Sequence, residues 1–218
     1  MKRLVPILLA LIALVPGPAR SETAPDVLVR QNTDEIIARI KANKDAYAKD
    51  HKKLYAMVDE LVLPHFDFRA MAKLVLAQSW REANEDQRAR FVVEFRDLLV
   101  RTYSTALLKY NKEEIIHLPY KGPIDDKTAV VKTEVKQAAG GPNIPLEYNF
   151  YLKDAAWKVY DVKIDGVSLV TNYRSTYAER IRNRGLDALI ASLAEDNRAG
   201  KVDKPIAPLS GAASKGAK

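Results

Sequence analysis

The spacing of apolar residues along this chain changes near residue 114, from every third or fourth position to every second. Val27, Ile36, Ile37 and Ile40 predict a helix from Asp26 to about Ala48. Leu54, Tyr55, Val58, Leu61 and Val62 predict a second over 52–63, which Pro64 stops. An aromatic connector, His65-Phe66-Asp67-Phe68, follows, with Asp67 placed to cap a helix running to about Ser79 and ending at Trp80. Asn84 and Gln87 then hold the two positions of a capping box. They open the longest helix, which runs to about Tyr110 with Phe91, Phe95, Leu98, Leu99, Tyr103 and Leu107 on one broad face.

Beyond Glu114 the period of two predicts strands at 114–120, 127–137, 144–153 and 156–164. Their connections are short, so neighbours run antiparallel, with one apolar face and one wet face. In the last strand, alternation puts Ala156, Tyr160, Val162 and Ile164 on one face and Trp157, Asp161 and Lys163 on the other. Asp165-Gly166 is a turn, and Ser168 caps a helix whose stripe is Leu169, Val170, Tyr173, Tyr177 and Ile181. Gly185 interrupts it before a short helix from Leu186 to about Glu195. The predicted class is α+β: N-terminal helices, a four-stranded antiparallel sheet, and a C-terminal helix packed back over the sheet.

The ends read differently from this body. Residues 1–21 have the form of a signal peptide, with Lys2 and Arg3, an apolar run from Leu4 to Val15, and the small-x-small triplet Ala19-Arg20-Ser21. Residues 22–198 are one domain, and the Gly-, Ala-, Ser- and Lys-rich stretch 199–218 cannot bury enough to fold. The absence of cysteine excludes disulfides, thiol chemistry and a lipoprotein anchor. The formal charge of +7 is concentrated in the two ends, and the body is close to neutral, which removes nucleic acid as a partner.

Catalytic candidates are few. His51, His65 and His117 share no metal-ligand spacing, and no GxSxG elbow or phosphate loop surrounds Ser168 or Gly140-Gly141. His65 beside Asp67, or Asp161, are the bases an exported enzyme would use. Large apolar and tyrosine side chains on facing elements are abundant: Tyr103, Leu107 and Tyr110; Val131, Thr133, Tyr148, Phe150, Tyr160 and Val162; Val167, Leu169, Val170 and Tyr173. A solid core and the lining of an apolar pocket would use the same set, so an adaptor with a filled interior stays open beside a protein with a ligand pocket.

Three stretches carry a resemblance: Phe66–Tyr110, the run WKVYDVKIDGVSLVTNYRSTYAERI, and RGLDALIASL at Arg184–Leu193. Together they resemble the MlaC family of periplasmic phospholipid-binding proteins, also called the toluene-tolerance auxiliary family, over about residues 25–197. The resemblance implies a carrier, not an enzyme, that holds the acyl chains of a glycerophospholipid between sheet and helices. It implies no cofactor, and exchange with an outer-membrane lipoprotein–porin complex and with an inner-membrane ABC transporter through its MCE-domain protein. A related branch is associated with hopanoids, which leaves that cargo as an alternative. The family has no catalytic set to carry over, so the cavity residues named above rest on facing positions alone.

Overall fold

The computed structural model describes residues 23–108, 114–125, 127–137 and 140–201. The expected signal peptide, Tyr110 and the tail beyond Lys201 lie outside them.

Pro25 opens α1 (Pro25–Lys49), where its missing N–H costs nothing. Asn43 leaves helical geometry (φ −127°, ψ 18°) and bends α1 before α2 (His51–Leu61), which Asp50 caps by accepting from the Lys52 amide at 3.0 Å. A single 3-10 turn, Leu63–His65, leads into α3 (Phe68–Leu76), where Asp67 accepts from the Ala70 amide at 2.8 Å. The single helix expected over 68–79 breaks at Ala77 (φ 49°, ψ −110°) and restarts as α4 (Gln78–Glu82). The break turns Trp80 inward, and the Arg69 and Arg88 guanidiniums cover its ring at 5.3 and 5.4 Å. The capping box forms as expected at the start of α5 (Glu85–Leu108): Asn84 accepts from the Gln87 amide at 2.9 Å, and Gln87 from the Asn84 amide at 3.0 Å.

Among the described residues five antiparallel strands follow in sequential order: β1 (Glu114–His117), β2 (Thr128–Lys136), β3 (Ile144–Lys153), β4 (Ala156–Ile164) and β5 (Val167–Ser168). The fifth, absent from the expected four, is two residues long, too short to show a period. It pairs one half of the outer edge of β4. Phe66 bridges to Val159 at the other half, where the Asp67 amide donates to the Val159 carbonyl at 2.9 Å. The aromatic connector therefore shields an edge that would otherwise offer unpaired backbone groups.

One irregularity changes which side chains face inward. Asn149 pairs with Asp161 but Phe150 pairs with Val159, so Tyr160 is an extra residue in a β-bulge. The alternation reverses there. Trp157 and Val159 are buried on one side of the bulge, Val162 and Ile164 on the other, and all four join one apolar cluster. The uniform register that placed Ala156 and Tyr160 inward and Trp157 outward is thereby corrected.

Two hairpin turns share left-handed geometry at both central residues: Asp165-Gly166 (φ 51° and 77°) and Asp154-Ala155 (φ 49° and 55°). Glycine suits this turn, whereas alanine is forced into a conformation costing roughly 1–2 kcal/mol. After the entropy lost by glycine, Ala155→Gly is expected to stabilise the protein by about 0.5–1 kcal/mol and raise Tm by about 2 °C in a thermal melt.

α6 (Leu169–Arg184) starts under two acceptors. Ser168 accepts from the Thr171 amide at 3.0 Å; Asp161 accepts from the Val170 amide at 3.1 Å and from the Ser168 hydroxyl at 2.6 Å. A carboxylate at this end also meets the positive pole of the helix. Gly185 (φ 82°) then turns the chain into α7 (Leu186–Arg198). α6 returns against β4 and contributes Leu169 to the cluster on the sheet. Tyr173 and Tyr177 pack edge-on against Phe95, in the helical cluster formed with α3, α5 and α7. A third cluster joins α1 and α2 to α5 through Ile40, Leu54, Met57 and Val58.

Candidate ligand cavity

The three clusters do not close completely where they meet. An interior space of about 220 Å³ remains between them. Ile36, Val58, Val62 and Leu63 line it from the N-terminal helices, Phe66, Phe68 and Met71 from the connector and α3. Leu99, Val100, Tyr103, Ser104 and Leu107 contribute from α5, Leu146, Tyr148, Val162 and Ile164 from the sheet, and Leu169 from the start of α6. Among the described residues no charged side chain lines this space, and the hydroxyls of the lining residues Tyr103, Ser104 and Tyr148 contribute almost nothing to its surface, which is apolar. An ion placed there would be desolvated without a partner, so the surface selects for hydrocarbon.

A second space of about 120 Å³ lies alongside, lined by Leu28, Val29, Asn32, Thr33, His65, Phe150 and Val159. Ile36, Val62, Phe66 and Tyr148 line both spaces and thus form the wall between them. In that wall Tyr148 receives a long hydrogen bond, 3.5 Å, from the Thr133 hydroxyl. Burial raises the Tyr148 pKa, so the phenol stays neutral throughout the physiological range.

The candidate His65–Asp67 pair does not form. The Asp67 carboxylate is buried and accepts from the Ala70 amide, from Lys153 Nζ at 2.7 Å and from the Tyr151 hydroxyl. Burial opposes its ionisation, but these donors outweigh that effect and hold its pKa below the ordinary carboxylate value. His65 faces the second space instead. Burial, and then the nearby Lys158 ammonium, lower its pKa and keep the ring neutral at pH 7. Asp161, the other candidate base, caps α6. Among the described residues no group of three or more His, Asp or Glu side chains is placed to hold a metal ion.

Of the thirteen residues offered from facing positions, Tyr110 lies outside the described residues; the structure places Tyr103, Leu107, Tyr148, Val162 and Leu169 on the larger space and Phe150 on the smaller one. Val131 and Thr133 point from β2 to the same side but are covered by packed neighbours. Val170 and Tyr173 belong to the helical cluster. Tyr160 and Val167 line neither space. The bulge turns Tyr160 to the outer face, where its ring lies 5.9 Å from that of Tyr151, and Val167 is 39% exposed. Tyr160→Ala is therefore expected to leave ligand occupancy unchanged while costing about 1 kcal/mol of stability, read by mass spectrometry and a thermal melt.

The residues that sequence reasoning missed come chiefly from the N-terminal half: Ile36, Val58, Val62, Leu63, Phe66, Phe68 and Met71. Their amphipathic spacing and the aromatic connector were visible. That α1 and α2 wall an opening beside the sheet was not, because periodicity shows which face is buried and not what covers it.

Sheet, helices and charge-free space together define an α+β protein with an apolar chamber, a class built to shelter an apolar ligand. The chain belongs to the MlaC protein family, whose model matches residues 30–195. It is 28% identical over 182 residues to the intermembrane phospholipid transport system binding protein MlaC of Haemophilus influenzae, covering 83% of this chain and 85% of that protein. It is also 28% identical over 181 residues to the toluene tolerance protein ttg2D of Pseudomonas putida, covering 83% of each. A phospholipid-binding protein from Ralstonia solanacearum, solved in complex with a phospholipid, superposes with a TM-score of 0.73 at 28% identity. That match covers 80% of this chain and 97% of the Ralstonia chain.

Proposed function

We propose that this protein is a phospholipid carrier of an intermembrane transport system. The observation that carries the reading is the charge-free chamber at the junction of the three clusters. The phospholipid complex of the 28%-identical Ralstonia protein supports it. An acyl chain in water is unfavourable by about 0.8 kcal/mol for each methylene, and an apolar chamber removes that penalty. Sites for drug-sized ligands run to about 300–1,000 Å³, larger than either space here. Loading a diacyl lipid therefore requires the two spaces to merge and widen, and Ile36, Val62, Phe66 and Tyr148 are the wall that must give.

On this reading the chain is exported to the periplasm by residues 1–21, which are removed. Its cargo passes unaltered to and from an inner-membrane ABC transporter with an MCE-domain protein and an outer-membrane lipoprotein–porin complex. Among the described residues no helix is long and apolar enough to cross a membrane. Transfer of a labelled phospholipid from donor to acceptor vesicles tests the carrier step. The rate should rise in proportion to protein concentration; a rate independent of protein would overturn the reading.

A further inference from the structure

Phe66 lies where three spaces meet. It lines the larger chamber, the smaller space beside it and an open cleft of about 470 Å³. Phe68, stacked on it at 5.7 Å, also lines both the larger chamber and the cleft, so the two rings form a partition between apolar interior and cleft. The cleft side of that partition is polar, with Asp67, Lys153, Asp154 and Lys158 on its wall. These four charges are not equally engaged. Asp67 and Lys153 neutralise each other at 2.7 Å. Lys158 forms no ion pair among the described residues. Its ammonium donates to the Pro64 carbonyl at 2.6 Å, one hydrogen bond for a group with three donors. The Asp154 carboxylate, in the β3–β4 turn, forms neither an ion pair nor a hydrogen bond among the described residues. One open cation and one open anion therefore stand on the polar side of a partition whose other side takes hydrocarbon.

We infer that the cleft seats the head group of the bound lipid, its phosphodiester on Lys158 and an ethanolamine ammonium toward Asp154, with the acyl chains passing the Phe66–Phe68 pair into the chamber. The inference rests on the carrier reading and adds to it an orientation of the cargo and a place of entry. A charged phosphate oxygen is a stronger acceptor for an ammonium than the neutral Pro64 carbonyl, so the phosphodiester draws Lys158 away from it. That exchange frees one bond between the connector and β4, on the same segment as the ring that must turn. Inorganic phosphate offers the same anion without chains, and diacylglycerol the same chains without the anion.

The test loads delipidated residues 22–218, in separate runs, from dispersions of phosphatidylethanolamine or of diacylglycerol with the same chains, and reads occupancy by native mass spectrometry. Lys158→Gln keeps a donor for Pro64 and removes the charge. It should weaken phosphatidylethanolamine binding about fivefold and leave diacylglycerol binding unchanged, which a merely structural loss would not do. Asp154→Asn should weaken phosphatidylethanolamine binding about twofold. Lys132→Gln, which removes a lysine paired with Glu147 on the sheet, should change neither. Equal loss of both lipids in Lys158→Gln, or loss of neither, would overturn the seat and leave the carrier reading intact. Inorganic phosphate that moves the Lys158 ammonium NMR signal, while Lys158→Gln leaves lipid loading unchanged, would make the cleft a free-anion site and likewise overturn the seat. Failure of the wild type to load either lipid would overturn both.

Discussion

Leu63→Trp and Leu107→Trp should each reduce bound phospholipid at least tenfold, about 1.4 kcal/mol in affinity, while the protein stays folded. Both side chains line the larger space, one from the turn after α2 and one from the end of α5, and neither is fully buried. A tryptophan at either position extends into the chamber instead of displacing packed neighbours, so the volume lost is the volume that the ligand needs. Val131→Trp would report something else. Val131 is 3% exposed inside the packed cluster on the sheet, where overpacking costs roughly 1–3 kcal/mol whether or not lipid is present. The measurement is lipid per protein after extraction, read beside a melting curve. Two folded variants with full occupancy would show that the ligand lies elsewhere.

Asp67→Ala is expected to cost about 3 kcal/mol, lowering Tm by roughly 6–12 °C. One carboxylate caps α3 through the Ala70 amide and holds Lys153 and Tyr151 of β3, so its removal frees three donors at once. The neighbouring backbone also binds the connector to the edge of β4. Because Phe66 and Phe68 line the chamber, the same loss should loosen its wall and lower lipid occupancy. The pH dependence follows from the lowered folded-state pKa. The stability that Asp67 contributes is fully present above the ordinary carboxylate value, about pH 4, and is lost as pH falls through the depressed one. Asp67→Asn should keep the cap acceptor but lose the charge. Its difference from wild type in denaturant titrations should therefore be largest at neutral pH and shrink below pH 4.

Local signals served the fold well where chemistry is local. Asn84 with Gln87, Asp67 before Phe68, Ser168 before Leu169, and Gly185 each set a helix boundary through hydrogen bonds within a few residues of themselves. The residues facing inward from β2 and β3 followed from a period of two. Tyr160 defeated the same reasoning, because a bulge is a property of the pairing between two strands and leaves no mark in the alternation of one. Ala77 did likewise: alanine favours helices, and only the burial of Trp80 between two arginines makes a break there worthwhile. Part of the chamber was legible in Tyr103, Leu107, Tyr148, Val162 and Leu169. The half formed by α1, α2 and the connector was not, since a cavity is where packing between distant segments fails, and no single segment encodes that failure.

Native mass spectrometry of residues 22–218, expressed and purified without detergent and followed by lipid extraction, tests the carrier account most directly. The account predicts one diacyl phospholipid per protein, released on denaturation. A protein that arrives empty, and stays empty after incubation with phospholipid vesicles, would contradict it.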